Sequence, residues 1–345
     1  MASLPMFPAA ESGSSRLVGI ARLATLGESV DSGHNVEFKT IPVRSLLTKC
    51  VSKRRMPFHW TINPYRGCEF ACKYCFARYA HEFMELEPLD FERKIYVKQQ
   101  AAWLLRQDLR RVKPGQSIAL GTATDPYQPA ERRHGITRSV LEEFSLHSGL
   151  EIGIVTKSNL VLRDLDVLQK VAKANSLMVH ITVTTLDNEL ARILEPRVPR
   201  PDLRLKAVRM LNENGIPTGV LCCPVVPGIT DDAKNLERVL KAAAQHKAQA
   251  VHANPLYLKP ATRAVFMPFL EEKFPHLAKV YHERYKDGAY LPKQYYSRIR
   301  ELMDTLRKKH GIATTVDDVR TRFMHPRPDF PGGQLELFSG STRVA

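Results

Sequence analysis

The feature that most constrains this chain is a regular alternation of short apolar runs and stretches with helical spacing. The apolar runs lie at 59–63, 117–121, 152–156, 179–184, 218–223 and 250–253. Between them, apolar residues recur every three or four positions around 95–109, 140–144, 161–171, 203–211 and 236–243. Strands and helices that alternate at intervals of about 30 residues predict βαβ units, and hence a parallel sheet with helices outside it.

Six such units suit an α/β protein with a TIM-like barrel, either full or a partial (β/α)6 barrel. A dinucleotide-binding sheet is disfavoured because no glycine-rich fingerprint follows any of the apolar runs. We expect residues 46–258 to form the barrel and 259–324 to form a helical C-terminal cap rich in aromatic residues. The composition of residues 1–45 predicts a flexible N-terminal arm with a short segment that packs on the core. The composition of residues 325–345 predicts an exposed tail. In barrels of this kind the chemistry lies on the loops that follow the strands.

Composition narrows the class of protein further. No apolar run approaches the roughly 18 residues that a membrane-spanning helix needs, and residues 1–16 lack the basic start and apolar stretch of a secretory signal. We therefore expect a soluble, cytoplasmic protein with no membrane partner. The formal net charge of +15 at pH 7 favours a polyanionic partner such as DNA, although any single basic cluster can equally be solvated surface.

Three of the six cysteines, Cys68, Cys72 and Cys75, follow the first apolar run with the spacing Cys-x3-Cys-x2-Cys. In a cytosolic protein such a group indicates a metal or cluster site rather than disulfides. Three thiolates can hold three irons of a [4Fe–4S] cluster and leave the fourth iron open for a substrate or cofactor. The alternative is a structural zinc site, which needs a fourth ligand such as His59 or His81.

This spacing, with the aromatic Tyr74 directly before the third cysteine, resembles the signature of the radical S-adenosylmethionine (SAM) superfamily. The resemblance extends over roughly residues 55–255 to the branch that is similar to spore photoproduct lyase. It implies the partial barrel of that superfamily and an enzyme whose open iron chelates SAM. The reduced cluster would then cleave SAM to methionine and a 5′-deoxyadenosyl radical. The resemblance also implies a flavodoxin or ferredoxin as the electron donor.

The same resemblance assigns contacts with SAM to side chains that follow the second, third and fourth strands. These residues are Thr124, Asp125, Lys157, Ser158 and Thr182, and Tyr74 is added from the cysteine motif. A lysine can pair with the carboxylate of SAM, whereas Asp and Thr can bond with its ammonium and ribose hydroxyl groups. A Glu-Pro pair at Glu195 and a later arginine, Arg204, also match the lyase. For each residue the alternative is a strand-end cap or a turn.

Two positions depart from the lyase pattern. The lyase returns a hydrogen atom to its thymine-dimer substrate from a cysteine, but the matching residue here is Thr122, whose O–H bond is a far poorer donor. The residue after the third cysteine is Phe76, which cannot carry a phenoxyl radical, whereas Tyr74 is kept and is a candidate catalytic residue. Cys222 and Cys223 are the alternative catalytic thiols, one pointing inward and the other outward from the fifth strand. The pattern therefore argues against repair of spore photoproduct itself.

The C-terminal tail contains the sequence Gln-Leu-Glu-Leu-Phe. It resembles the short peptide by which bacterial proteins bind the sliding clamp of DNA polymerase. Gln334 would form a hydrogen bond, and Leu335, Leu337 and Phe338 would fill the pockets of a preformed groove. The alternative is that these apolar residues pack back onto the protein's own surface.

The leading hypothesis is a radical SAM enzyme that acts on DNA or a nucleotide, with His252, Asn254 and Tyr257 as further candidate substrate contacts. One alternative is a nucleic-acid-associated iron–sulfur protein whose cluster is structural or redox-sensing. Another is a radical SAM enzyme that acts on a peptide or a small molecule. The sequence leaves open the substrate, the hydrogen-atom donor, the electron donor, the oligomeric state and whether SAM is consumed or regenerated.

Overall fold

The computed structural model describes residues 17–33, 35–51 and 56–313, so the clamp-like peptide with Gln334, Leu335, Leu337 and Phe338 lies outside the described residues. The strands are β1 (Ser29–Gly33), β2 (Val36–Ile41), β3 (Leu47–Lys49), β4 (Trp60–Ile62), β5 (Tyr65–Arg66), β6 (Lys94–Lys98), β7 (Ser117–Leu120), β8 (Glu151–Thr156), β9 (Ser176–Thr182), β10 (Thr218–Val225) and β11 (Val251–Pro255). The α-helices are α1 (Gly19–Thr25), α2 (Tyr79–Glu82), α3 (Ala101–Leu109), α4 (Glu131–His134), α5 (Ile136–Phe144), α6 (Leu165–Ala174), α7 (Asn188–Leu194), α8 (Pro201–Glu213), α9 (Ala233–Gln245), α10 (Pro260–Lys273), α11 (Pro275–Arg284) and α12 (Lys293–Lys309).

The main sheet contains the six strands that the apolar runs predict. They lie in the order β11-β10-β9-β8-β7-β4 and are parallel, and β3 pairs antiparallel with β4 at the edge. The register places Ile118, Ile152 and Leu177 side by side on one face. β11 and β3 are the two edges of this sheet, so it is an open, partial barrel. The α/β prediction is confirmed.

The face of the sheet that points outward is apolar and packs against α3, α5, α6, α8, α9 and α12. Ile154, Val179 and Val220 are fully buried there, against helix residues such as Val208 and Leu240. Burying a side chain of this size contributes about 1.5–3 kcal/mol. Since successive strand residues point to opposite faces, the residues between them line the inside of the partial barrel.

The N-terminal region holds more regular structure than the sequence indicates. Within the expected arm lie α1, β1 and β2, and β2 pairs in parallel with β6, which in turn pairs antiparallel with β5. Residues 94–98 form β6, although helical spacing extended the predicted helix back to 95; the helix itself begins at Ala101. Phe38 and Val97 are buried on one face of this second sheet. Because β5 ends just before Cys68, the second sheet fixes where the cysteine-containing loop begins.

The C-terminal helices pack against two different parts of the protein. Through Ile299, Met303 and Leu306, α12 packs into the main core beside β11 and α9 and extends the outer layer of helices. By contrast, α10 and α11 bury Phe266 and Tyr281 in the cluster of residues that surrounds the cysteines. No helix in the described part of the chain is long and apolar enough to cross a membrane.

Candidate active site

The three cysteines lie in one loop, residues 67–75, which we call the cysteine loop. It follows β5 and leads into a short 3₁₀ helix, Phe76–Arg78. Gly67 has a φ of +80°, and a Cβ at this position would lie 2.6 Å from the carbonyl oxygen of Lys94. Glycine is therefore required for the loop to turn this close to β6.

The thiols of the cysteine loop suit a cluster. Cys68 and Cys72 are buried and Cys75 is half-buried, and burial raises the pKa of the Cys68 and Cys72 thiols well above their ordinary value. Bound iron would hold them as thiolates and displace their protons. In the described chain, no three His, Cys, Asp or Glu side chains are arranged to hold a single metal ion. A closed zinc site needs four protein ligands, whereas a [4Fe–4S] cluster with an open iron needs three thiolates, so the three cysteines of this loop fit a [4Fe–4S] cluster better than zinc.

The two histidines that were alternatives for a fourth zinc ligand make other contacts. The Nδ1 atom of His59 accepts the backbone N–H of Ser117 over 3.1 Å, at the end of β4 away from the cysteine loop. His81 is fully buried, and its Nε2 lies 3.0 Å from the carbonyl oxygen of Lys94. Both rings therefore serve the local structure around them.

Asp125 follows β7 and organises the neighbouring loop. Its Oδ1 accepts the Thr156 hydroxyl over 2.6 Å and the backbone N–H of Tyr127 over 2.9 Å. Its Oδ2 accepts the backbone N–H of Lys157 over 2.7 Å. The carboxylate is thus occupied by three donors of the chain itself, and its direct effect is to hold Lys157 in place.

Thr124 and Ser158 are likewise bonded within the chain. The Thr124 hydroxyl donates to the carbonyl oxygen of Tyr65 over 3.1 Å. The Ser158 hydroxyl accepts the backbone N–H of Leu160 over 3.2 Å, which caps the 3₁₀ helix Asn159–Asp164. Both hydroxyl groups therefore form hydrogen bonds that stabilise these loops.

Asn63 connects the ends of β4 and β7, and no sequence pattern indicated this. Its Oδ1 accepts the backbone N–H groups of Ala123 and Thr124 over 2.7 and 3.2 Å. Its Nδ2 donates to the Thr61 hydroxyl over 3.0 Å, and that hydroxyl lies 3.0 Å from the hydroxyl of Thr122. An Asn-Pro pair indicates only a turn, so the bonds of this side chain are visible only in the folded chain.

Among the candidate SAM contacts, Lys157 is the charged side chain that is not already bonded to another described residue. Its Nζ lies 5.7 Å from the centroid of the Tyr74 ring and makes no hydrogen bond or ion pair with any described residue. Although burial lowers the pKa of Lys157, the nearby charges of Cys72 and Glu195 outweigh it and raise that pKa. Lys157 therefore presents a full positive charge beside the cysteine loop.

A buried ion pair holds Tyr74. The hydroxyl of Tyr74 donates to Glu195, and Glu195 pairs with Arg204 at 2.7 Å while both side chains are at most 1% exposed. Arg204 also donates to the carbonyl oxygen of Thr182 over 2.8 Å. The two residues that matched the lyase motif thus join the cysteine loop to the end of β9.

Cys222 and Cys223 point to opposite faces of β10, as the sequence predicts. Cys222 is 1% exposed and lies in the aliphatic core between the sheet and the outer helices. Cys223 is half-buried on the inner face, and its Sγ lies 3.9 Å from the carbonyl oxygen of His252. Burial raises the pKa of Cys223 to about 12, against the smaller lowering effects of the Asn254 backbone and of the charge of Lys157. Of the two thiols, Cys223 is the one that faces the candidate site.

The inner wall beside Cys223 carries two histidines. The rings of His180 on β9 and His252 on β11 are 6.0 Å apart. Burial lowers the pKa of His180 to about 4 and lowers that of His252 as well. Both rings are therefore neutral at pH 7. Asn254 is exposed and lies two residues after His252 on β11.

Five aromatic rings extend from the cysteine loop to the surface, and we call them the aromatic array. Its members are Phe76, Tyr79, Phe83, Tyr257 and Tyr290. Neighbouring centroids are 5.5 Å apart for Phe76–Tyr257 and Tyr257–Tyr290, 6.4 Å for Phe76–Tyr79 and 5.9 Å for Tyr79–Phe83. Phe83 is 63% exposed and Tyr290 is 39% exposed, so solvent reaches both ends of the array.

Known proteins share this sequence pattern and fold. The family model of the Radical SAM superfamily matches residues 62–240. An uncharacterised protein of Mycobacterium tuberculosis is 35% identical over 280 residues, which cover 81% of this chain and 82% of that protein. An uncharacterised protein of Methanocaldococcus jannaschii is 28% identical over 254 residues, which cover 72% of this chain and 86% of that protein.

Solved structures with the same fold include a double mutant of spore photoproduct lyase with bound AdoMet (SAM) and a dinucleoside spore photoproduct. Its TM-score is 0.62 at 14% identity, over 79% of each chain. At this identity the likeness shows the fold, and it confirms the lyase-like fold that the sequence predicts. The family model spans more than half of the 345 residues. This chain therefore belongs to the radical SAM superfamily.

Proposed function

We propose that this radical SAM enzyme acts on a nucleotide base of DNA. The observation that carries the proposal is the aromatic array, which begins beside Cys75 and reaches the surface. Every base has a π-face, and stacking on an aromatic side chain contributes about 1–3 kcal/mol per base. A row of rings that leads from solvent to the reactive centre therefore suits a base that has left the duplex stack.

The charge around the array supports the same substrate class. The Nζ of Lys259 lies 4.6 Å from the centroid of the Tyr79 ring, which puts a cation beside the stacking surface. The whole chain carries a formal net charge of +15. Aromatic rings interleaved with cations are the combination that binds single-stranded or flipped-out nucleotides.

As in other members of its superfamily, a [4Fe–4S] cluster and SAM serve as cofactors, and reductive cleavage of SAM supplies the radical that abstracts hydrogen. Cys68, Cys72 and Cys75 would hold the cluster. The ammonium of Lys157 would bind the carboxylate of SAM, and Asp125 positions Lys157 through its backbone. Thr124, Ser158 and Thr182 shape the loops around the cofactor, and the hydroxyl groups keep lone pairs that can accept from it.

Cys223 donates the hydrogen atom that completes the reaction. Its S–H bond breaks and a C–H bond forms on the substrate radical. The thiyl radical that is left takes one electron from the protein reductant and one proton from solvent, which restores the thiol. Thr122 stands where the lyase carries its donor, and its O–H bond is too strong for this step, so the enzyme needs a thiol elsewhere on the inner wall.

DNA binding by two matched variants tests the substrate class. Tyr257→Ala removes the ring that joins Phe76 to Tyr290, whereas Trp103→Ala removes an aromatic side chain that is 55% exposed on α3. We expect fluorescence anisotropy with a single-stranded oligonucleotide to show a loss of affinity of about 1–3 kcal/mol for Tyr257→Ala, and wild-type affinity for Trp103→Ala. Equal affinity for all three proteins would refute the role of the array.

Deuterium labelling tests the hydrogen-atom donor. The reduced enzyme is incubated with SAM and with undamaged or ultraviolet-irradiated oligonucleotides in D2O, where thiols carry deuterium. We expect mass spectrometry to detect deuterium in the DNA for the wild type and for Cys222→Ala, and none for Cys223→Ala. Undiminished labelling by Cys223→Ala would assign the donor to another group.

A further inference from the structure

The outer side of the cysteine loop is bordered by two segments of the chain. Residues 128–133 reach it through Gln128, whose side chain donates to the carbonyl oxygen of Gly67 over 3.1 Å and accepts the backbone N–H of Glu69 over 2.9 Å. Residues 192–197 reach it through two backbone hydrogen bonds, from Lys73 to Leu194 over 3.0 Å and from Arg197 to Phe70 over 3.4 Å. Together, these two segments and the cysteine loop form what we call the outer face.

The charge of the outer face is strongly positive toward solvent. Arg132, Arg133, Arg192 and Arg197 are exposed, and Lys73 is half-exposed. Of the three acids in these segments, Glu131 is fully buried and pairs with Arg163, and Glu195 is buried in its pair with Arg204. The third, Glu69, accepts the backbone N–H of Ala130 over 2.6 Å. On α10, Glu272 pairs with Lys273 and lies near enough to Lys73 for that charge to help lower the pKa of Glu272.

An apolar concavity of about 400 Å³ opens in the same face. Val36, Phe38 and Ala130 form its floor, and Arg133 and Arg197 stand at its sides. Glu69, which interacts electrostatically with both arginines, also lines it. The guanidinium of Arg133 lies 5.8 Å from the centroid of the Phe38 ring. The exposed Ile193, with 37% of its surface accessible, adds a further apolar contact beside Arg192. An apolar centre with a basic rim is the composition of a protein-docking surface.

We infer that the outer face is the docking site of an acidic electron-transfer protein. The inner side of the cysteine loop faces Lys157 and the wall of the partial barrel, where SAM and substrate lie, so a reductant reaches the cluster from outside. Glu69 is adjacent to Cys68 in the chain, so a partner seated in the concavity is separated from the cluster by the thickness of the loop. In the docked complex one electron passes from the reduced carrier to the oxidised cluster, and no covalent bond changes. The inference rests on membership of the superfamily and is independent of the DNA substrate.

Charge reversal at the outer face tests the inference. SAM cleavage is followed as 5′-deoxyadenosine, once with dithionite as reductant and once with flavodoxin, flavodoxin reductase and NADPH. For Arg133→Glu/Arg197→Glu we expect the KM for flavodoxin to rise about tenfold or more at low salt, with the dithionite rate unchanged. Lys206→Glu/Lys241→Glu, on the outer helices α8 and α9, is the matched control and is expected to behave as wild type.

The outcomes are distinct. A flavodoxin KM that stays within twofold of wild type overturns the inference. An equal loss of rate with both reductants at full iron content overturns it too, because the reversed charges then impair SAM cleavage itself and not docking. If the double reversal binds less iron than wild type, Arg133→Gln/Arg197→Gln decides in its place: a higher KM at full iron content supports docking, and an unchanged KM overturns it. Failure of DNA binding affects none of these readouts.

Discussion

The buried pair of Glu195 and Arg204 makes a sharp prediction, because neither side chain reaches solvent. Replacing Arg204 by Met keeps the volume and removes the charge. The carboxylate of Glu195 then stays buried with the Tyr74 hydroxyl as its remaining partner, and the carbonyl oxygen of Thr182 loses its donor. Removing one member of a buried ion pair costs about 3–5 kcal/mol, mainly because the other charge is left uncompensated.

A loss of unfolding free energy of this size can be measured by urea denaturation. With a urea m-value of about 3 kcal/mol/M, a loss of 3–5 kcal/mol lowers the urea midpoint of Arg204→Met by about 1–1.7 M. The double variant Glu195→Gln/Arg204→Met buries no charge and keeps an amide oxygen for Tyr74. We therefore expect it to be about 2–3 kcal/mol more stable than Arg204→Met. Adding the single variant Glu195→Gln completes the cycle that gives the coupling energy between the two residues.

The assay is anaerobic urea unfolding of the iron-loaded protein, followed by circular dichroism and by iron–sulfur absorbance. Arg200→Met is the matched control, because Arg200 pairs with Asp202 at 2.9 Å but is 57% exposed. An exposed pair of this kind contributes less than about 1 kcal/mol. If Arg204→Met and Arg200→Met lost equal stability, or if the double variant were no more stable than Arg204→Met, the reasoning from burial would be refuted.

Three shorter predictions rest on the site and its surroundings, and a fourth rests on the sequence of the C-terminal tail. Cys72→Ala is expected to abolish iron–sulfur absorbance and SAM cleavage, and an intact spectrum would remove this residue from the cluster. Lys157→Ala should weaken SAM binding by about 1.5–3 kcal/mol in calorimetry, since it removes a charged partner of the carboxylate. Burial lowers the pKa of His81 to about 4, so the folded state loses stability as the pH falls from about 6.5 toward that value. His81→Gln should therefore reduce the loss of unfolding free energy between pH 7 and 5 by about 2 kcal/mol. Deleting 334–345 should leave SAM cleavage intact and abolish binding to a sliding clamp in surface plasmon resonance, whereas retained binding would place the contact elsewhere.

The sequence predicts the parts of this site that are local in the chain. The cysteine spacing lies within eight residues, and Asp125 and Lys157 each follow a strand, so their convergence follows from the rule that strand ends meet at one edge of a parallel sheet. Alternation of side chains along β10 predicts that one of Cys222 and Cys223 faces inward, and the structure shows that this residue is Cys223. The rule about strand ends does not specify which of these polar groups form hydrogen bonds with other groups of the chain. The three donors on Asp125 come from two different loops, and they turn an expected cofactor ligand into the group that holds Lys157.

Non-local pairings account for what the sequence does not reveal. The partner of β2 is β6, more than fifty positions along the chain, and residues 94–98 fit a helical pattern as well as a strand until that partner is known. The aromatic array has the same origin, because Phe76 meets Tyr257 through the folding of the whole barrel. Aromatic residues scattered along a sequence are most simply interpreted as core, and their alignment depends on tertiary contacts.

The positions of two residues on the inner wall bear on what the enzyme makes. Thr122 follows β7, and its hydroxyl lies 3.0 Å from the hydroxyl of Thr61; Cys223 lies on β10, three strands away in the sheet. Three strand spacings of about 4.8 Å amount to about 14 Å along the sheet. The curvature of the partial barrel brings inward-facing side chains closer together than this, as the 6.0 Å between the rings of His180 and His252 two strands apart shows. Thr122 and Cys223 therefore face the interior from different walls. If Cys223 is the donor, as proposed, its hydrogen atom quenches the substrate radical from a different direction than a donor at the position of Thr122 would. This difference in direction is a geometric reason to expect a product different from that of spore photoproduct lyase on the same fold.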